Sequence, residues 1–376
     1  MPWNWELPKW PQLHYDSTKI AQQEKQFLLN VGSGFAFLKN ISEQEYGQFM
    51  VEILSIEGAE SSKIEGEILD RESLQSSIKR HFGLQPTLKK EPRKESCMAQ
   101  ALCHVYESFN QPLTHEMLWK WHAMLFDGSP HMHDCGQYRT HAQPMQIVSR
   151  RYGSARVFFE APPSIQVPAE MAAFVDWYNS KQSSGSILGR AAASHVYFET
   201  IHPFEDGNGR IGRMLVEKIL SQSMGRPILI AVSKVLEKRK KEYYSALEKC
   251  NRTLDIQEWV EFFAYAILQA QEESMQMLDF LIQKSKILSS LSGHINPRQE
   301  KVLLRMFAEE PAGFKGGLSA ENYIAITKAS RATATRDLAD LVERGVLVKT
   351  GELRHTRYRL NLTRTQLHRN YSNPKY

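Results

Sequence analysis

The stretch IHPFEDGNGRIGRMLVEKIL, residues 201–220, concentrates more reactive side chains than any other part of the chain. His202, Asp206, Asn208, Arg210 and Arg213 accompany Gly207 and Gly209 at the junction of two helix-like segments. The glycines let the backbone turn closely around an anion, and the helix after them offers unpaired N–H groups and a positive dipole end. Asn208 can add a donor. Arg210 and Arg213 share one side of that helix, where guanidinium forks can clamp further phosphates. Asp206 is either a hard oxygen ligand for Mg²⁺, with phosphate completing the shell, or the cap of the following helix. His202 is the acid or base candidate, since imidazole titrates near neutral pH. Phe204 is the apolar anchor of the loop. His104, His115, His122 and His195 lack such neighbours and read as structural.

HPFEDGNGRIGR (202–213) resembles the Fic family signature HxFx(D/E)GNGRxxR at every specified position. Upstream, GQYR (136–139) and a hairpin ending in Ala161, Pro162 and Pro163 sit where the family places a flap over its target. Downstream, EYYSALEKCN (242–251) is similar to the family's nucleotide-base wall, with Tyr243, Tyr244 and Asn251 at the matching positions. The start of the chain, with Trp3, Trp5 and Trp10, is similar to the extension of bacterial Fic proteins that carry a C-terminal winged helix. SSKIEG (61–66) fits the family's inhibitory pattern (S/T)xxxE(G/N), which makes Glu65 the inhibitory residue.

The resemblance implies adenylylation: transfer of AMP from ATP to a Tyr, Thr or Ser hydroxyl of a target protein, this chain included. His202 would then take the hydroxyl proton, and Asp206 would hold Mg²⁺ between the α- and β-phosphates. Asn208 and the amides of Gly207 and Gly209 would support the α-phosphate. Arg210 would grip the β-phosphate and Arg213 the γ-phosphate unless Glu65 occupies it. A flap at about 147–160 would align the target by strand pairing. Two other readings stay open. One is transfer of another nucleotidyl or phosphoryl group, or removal of AMP. The other is a DNA-binding regulator with a Fic core serving as sensor.

These residues require a helical frame. The expected fold is mainly α: a Fic core with a β-hairpin flap (96–290), an N-terminal helical extension (1–95) and a C-terminal winged helix-turn-helix (291–376). A helix begins after the cap Ser42 and continues through Leu69, with Phe49, Ile53, Ile56, Ile64 and Ile68 at helical spacing and a break near Gly58. Residues 83–96 carry two prolines and many charges and read as an exposed connection. From 97 to 290 the pattern is helical except for a hairpin at 143–163, turning at Tyr152–Ser154. Beyond Asn296, three helices precede two strands meeting at Thr350–Gly351, a winged-helix pattern.

Charge and composition narrow the partners. Of 47 Lys+Arg and 42 Asp+Glu in 376 residues, the segment 291–376 holds 15 and 8, a local net of +7 against −2 elsewhere. Arg331, Thr333, Thr335 and Arg336, with Lys349, Arg354, Arg357 and Arg359, suit a DNA phosphate backbone; protein docking or homodimerisation is the alternative. No apolar run approaches the roughly 18 residues of a membrane helix, which argues against a membrane partner. The start MPWNWELPKW lacks the features of a signal peptide, and the four cysteines form no CxxC pair, so a reduced, cytoplasmic setting is expected. His131, His133, Asp134 and Cys135 invite a zinc site but lack a second ligand pair, so they read as a solvated loop.

Overall fold

The computed structural model describes residues 1–84, 92–127, 132–151, 154–180, 185–308, 314 and 316–362. The chain is mainly helical and divides into two compact units, Met1–Asn40 with Met50–Ser274, and Ile41–Phe49 with Met275–Tyr376. Its helices are α1 (Ala21–Leu38), α2 (Glu43–Ile64), α3 (Arg71–His81), α4 (Arg93–Glu107), α5 (His115–Phe126), α6 (Val167–Asn179), α7 (Ile187–Ile201), α8 (Asn208–Met224), α9 (Val232–Lys238), α10 (Lys240–Cys250), α11 (Gln257–Leu291), α12 (Pro297–Ala308), α13 (Ala320–Thr327) and α14 (Arg331–Glu343). Beside these and four short 3₁₀ helices, two antiparallel ribbons stand among the described residues: β1 (Gln146–Arg151) with β2 (Ser154–Glu160), and β3 (Leu347–Thr350) with β4 (Arg357–Leu360).

Local sequence explains most boundaries. Ser42 and Glu45 exchange side-chain and backbone hydrogen bonds in a capping box that starts α2. Two expectations for this helix are corrected. It does not break at Gly58, because Leu102, Met98 and Leu74 crowd the place a side chain would occupy. It stops at Ile64 rather than continuing to Leu69, because Gly66 adopts φ 86° and closes the end: Gly66 N–H bonds Lys63 O, and Glu67 N–H bonds Ser62 O. That is the Schellman pattern with glycine at its left-handed position. Within the N-terminal extension, α1 is a helix that the sequence pattern did not single out.

In the first unit, α7 and α8 are almost wholly buried and form its centre. The N-terminal tryptophans fasten the base of the β1–β2 hairpin to this body. Trp3 packs edge-on to Phe159, and Trp5 Nε1 donates to Glu160 O at 2.7 Å. Trp10 stands edge-on to Tyr197. The turn expected at Tyr152–Ser154 and most of the 83–96 connection lie outside the described residues. In the second unit, buried Asp337 of α14 accepts from Arg298 and Asn296 near the start of α12 and from Tyr323 of α13, and Leu318 bridges to Tyr358 of β4.

Candidate active site

α7 ends where the backbone reverses at His202, which takes a left-handed conformation (φ 48°, ψ 60°) that non-glycine residues adopt only when held there. Arg139 holds it. Its Nε donates to His202 O at 2.8 Å, an Nη2–H reaches Pro162 O at 2.5 Å, and its own backbone N–H bonds Pro203 O. One buried guanidinium thus ties the reversed loop to the foot of the hairpin. Sequence pattern assigned Arg139 no role beyond its place in GQYR.

The loop beyond His202 is anchored from below. Phe204 is fully buried and stacks on His122, with ring centres 4.3 Å apart. The side chain of Asn208 is committed on both ends, accepting from Phe204 N–H at 2.9 Å and donating to Phe204 O at 2.8 Å. It staples the loop instead of standing ready as a donor, so the anion donors here are backbone amides at the start of α8. Gly207 (φ 82°) provides the turn into α8, and Phe126 fills the space where a side chain would lie.

Asp206 makes no cap to α8; it accepts from the adjacent Gly207 N–H and leaves a largely exposed carboxylate facing the cleft. A largely exposed carboxylate, in long contact with Arg210 Nη2 at 3.8 Å and beside a helix start, fits a hard cation whose remaining ligands come from phosphate and water.

His202 is neutral. Burial, with the Arg139 charge adding to it, lowers its pKa to about 4. Its Nδ1 lies 3.4 Å from Glu199 O and 3.7 Å from the Glu199 carboxylate, which favours a proton on Nδ1 and leaves Nε2 as the basic nitrogen. Glu199 was not foreseen, although its place three residues before His202 puts it on the same helical face. Burial, then the nearby Glu65 charge, raises its carboxyl to about 8.

Both motif arginines carry carboxylates. Arg213 Nη2 donates to Glu65 at 2.7 Å, while its Nε and Nη2 also bond Ser61 Oγ and Ser61 O at 2.8 and 2.9 Å. Burial opposes the guanidinium charge, but Glu65 outweighs it and Arg213 stays protonated. Glu65 therefore sits just past the end of α2, not within it. Gly209 makes room for it, since any side chain there would strike the Glu65 carboxylate. Arg210 Nη1 donates to Glu67 at 2.9 Å, a contact that the sequence reading did not anticipate.

Glu65, Glu199, His202, Asp206 and the Gly207–Gly209 backbone line one cleft of about 1040 Å³, bordered by Ile147, Val148 and Phe158 of the hairpin and by α10; Arg213 meets it through Glu65. Tyr243 faces inward, buried, with its hydroxyl 2.8 Å from His195 Nε2. Tyr244 is half exposed and its hydroxyl reaches Ile64 O at 3.3 Å; Lys240 Nζ donates to the same carbonyl at 2.5 Å. Asn251 Nδ2 donates to Phe158 O of β2, linking the wall to the hairpin.

Residues 112–220 match the sequence profile of the Fic/DOC family. That stretch is similar to a Fic domain. Residues 3–84 match a second profile, a domain of unknown function called DUF4172. The chain is 35% identical over 130 residues to the protein adenylyltransferase Fic of Nematostella vectensis, a match covering 33% of this chain and 28% of that one. It is 32% identical over 91 residues to a probable protein adenylyltransferase of Aquifex aeolicus, covering 24% and 26%. The matches thus span only about a quarter of those relatives. In fold, the chain is similar to a Fic family protein from Desulfovibrio desulfuricans (TM-score 0.56, 21% identity, covering 95% of this chain and 100% of that one). It is also similar to a Fic domain containing signaling protein from Bacteroides thetaiotaomicron (TM-score 0.53, 21% identity, covering 68% and 96%).

The zinc reading gains nothing from the structure. His131 lies outside the described residues. His133, Asp134 and Glu205 bring ligand-type atoms within 4.8 Å of one another, but Asp134 is buried and already accepts from Thr140 N–H and Gln137, while Glu205 accepts from the His133 and Asp134 amides. They fasten the 133–140 loop to the Fic motif. Among the described residues, no helix is long and apolar enough to cross a membrane, and the four cysteines are free thiols.

Proposed function

We propose that this chain is a protein adenylyltransferase held in a low-activity state by Glu65. The observation that carries the reading is one cleft lined by neutral His202, the open carboxylate of Asp206 and the backbone at the start of α8, with Arg213 bonded to the cleft-lining Glu65 and Arg210, on the same helix, bonded to Glu67. That set matches the charges of a nucleoside triphosphate beside a base, and the adenylyltransferase names of the relatives support it.

Nε2 of His202 takes the proton of a Tyr, Thr or Ser hydroxyl as its oxygen bonds the α-phosphorus. The bond to the pyrophosphate oxygen breaks, and AMP stays on the target. The backbone amides at the start of α8, Gly209 among them, face the α-phosphate oxygens, while the Gly207 N–H stays with Asp206; Arg210 and Arg213 hold the β- and γ-phosphates. Asp206 would hold Mg²⁺, which supplies positive charge to the departing pyrophosphate. The base lies against the α10 wall beside Tyr244 and Asn251, with Tyr243 supporting the wall from inside. The exposed apolar residues Ile147, Val148 and Val157 of the hairpin receive the target's backbone. A reduced, cytoplasmic setting fits the four thiols.

The test is incubation of the chain, and of its Glu65→Gly variant, with labelled ATP and host lysate, followed by mass spectrometry of modified side chains. AMP on a hydroxyl residue of a target or of the chain itself is expected. UMP, phosphate or loss of AMP would redirect the assignment.

The second unit favours an added role. We read α12–α14 with the β3–β4 ribbon as a winged helix, in which Arg331, Thr333 and Arg336 of α14 and Lys349 and Arg359 of the ribbon are available to DNA phosphates. A homodimer is the competing use of the same face.

A further inference from the structure

Glu67 does more than neutralise Arg210. Its Oε2 accepts from Arg210 Nη1 at 2.9 Å, and its Oε1 accepts from Lys94 Nζ at 2.5 Å. One carboxylate is therefore bridged between two cations from different helices, α8 and the first turn of α4. Arg210 is only 7% exposed, packs against the Phe126 ring, and keeps a buried Nε without a hydrogen-bond partner. A buried guanidinium with Nη1 on Glu67, Nη2 in only a long 3.8 Å contact with Asp206 and Nε unpartnered, sharing its carboxylate with a second cation, suits an oxyanion with more acceptors than one carboxylate offers.

The position of Glu67 is fixed from both sides. Behind it, the left-handed turn at Gly66 sets the direction of the chain as it leaves α2. Ahead of it, Asp70 N–H donates to buried Glu95, the residue next to Lys94, at 2.9 Å. The 65–70 crossing is thereby pinned to α4, and its two outward carboxylates, Glu65 and Glu67, meet Arg213 and Arg210 respectively.

The geometry points to Lys94 as a further phosphate ligand of this site, with Glu67 as the chain's own stand-in for the anion it receives. When a nucleoside triphosphate enters, its β-phosphate displaces the Glu67 carboxylate and is held between Arg210 and Lys94. This assignment deepens the adenylyltransferase reading and rests on it only for the identity of the anion. Lys94 is a positioning and binding residue. It takes no part in proton transfer.

The test is calorimetric titration of the full chain with the β,γ-imido analogue of ATP and, separately, with AMP, which lacks a β-phosphate. Glu67→Ala should tighten analogue binding by about tenfold, the scale of one charge-assisted contact relieved of competition. Adding Lys94→Ala to that variant should weaken it by about threefold to tenfold, and Lys94→Arg should restore most of the loss. AMP affinity should be the same in all four chains. Thermal melts that agree between variants exclude a folding explanation. The assignment is overturned if Glu67→Ala leaves analogue binding unchanged or weaker. It is also overturned if Lys94→Ala has no effect in the Glu67→Ala background, or if AMP binding moves in parallel. Expected binding without any AMP transfer would remove the proposed reaction while leaving the phosphate site standing; transfer with no Lys94 effect would do the reverse.

Discussion

The carboxylate of Glu65 lies 2.7 Å from Arg213 Nη2, and Ser61 one turn earlier takes two further bonds from the same guanidinium. A guanidinium forked onto one chain segment cannot also clamp a γ-phosphate, so under the proposed reaction Glu65 and ATP would compete for the same donors. Because α2 ends at Ile64, Glu65 sits at a helix terminus, where backbone change is cheap and the side chain can leave without unwinding the helix.

Glu65→Gly should therefore raise auto-modification strongly. A misplacement of about 1 Å costs roughly 100-fold in rate, so relief on that order is expected. Glycine at a helix end also costs less than the ~1 kcal/mol of a helix interior, and the fold should tolerate it. AMP incorporation should be low in the parent, high in Glu65→Gly, and low again when Arg213→Ala is added. Equal incorporation by parent and Glu65→Gly would sink the inhibitory assignment.

His202→Ala, made in the Glu65→Gly background, should lower transfer by about 10²–10⁴-fold and leave binding of an ATP analogue intact. With its pKa lowered to about 4, His202 stays unprotonated, and so able to accept a proton, throughout the neutral range. The rate should be nearly flat between about pH 5.5 and 7, with an acid limb below that window. A limb near about 6.5, the ordinary histidine value, would mean that the base is solvated during turnover.

Arg139→Ala removes the donor that holds His202 O and links it to Pro162. The left-handed residue is then free to relax, and transfer should fall by about 100-fold with a smaller change in ATP affinity. Arg139→Lys keeps the charge but not the fork, and should recover only part of the rate. Equal loss of ATP affinity and rate in both variants would indicate general collapse of the loop.

How far the residues alone foretold this site depends on distance along the chain. The 202–213 residues could be read as one constellation because they are neighbours in sequence, although Asn208 turns out to staple the loop, and Phe204 is fully buried as an apolar residue inside a polar loop should be. The Glu65–Arg213 pair was reached through a matching pattern, since no periodicity links residues 148 apart. Lys94, Glu67 and Arg139 were invisible because each gains its role only from tertiary contacts. Gly58 misled for the same reason: it reads as a helix breaker, yet it exists to admit Leu102, Met98 and Leu74. The end of α2 was readable in principle, as a glycine after a glutamate at the end of a helical run is a stop signal.

Glu199 offers a stability measurement. Its carboxyl, raised to about 8 by burial and then by Glu65, is neutral in the native state at pH 7 and ionised in the unfolded chain. Unfolding then releases a proton, so this group lowers stability progressively as pH climbs from its unfolded value toward about 8. Glu199→Gln removes that dependence. Its gain over the parent should be slight at about pH 5 and grow by at most about 1.4 kcal/mol per pH unit above it, read from urea midpoints. A gain independent of pH would show that Glu199 is ionised in the folded chain.

The second unit yields to salt. Exposed Arg331 and Arg336 lie on α14, and only a long contact of 3.8 Å joins Arg331 to Glu321, also exposed. Each DNA phosphate that such a side chain neutralises should contribute about −0.9 to the slope of log affinity against log salt. Duplex DNA of random sequence, titrated with the full chain at several salt concentrations, should give a steep negative slope. Replacing Arg331 and Arg336 together with alanine should flatten that slope by roughly two phosphates' worth, with no change in AMP transfer. Fold damage is an inadequate explanation for such a loss, because neither side chain is buried. A flat salt response in the parent would remove DNA from the account and leave this surface to a protein partner or a second copy of the chain. Sedimentation at the same salt concentrations then separates those two.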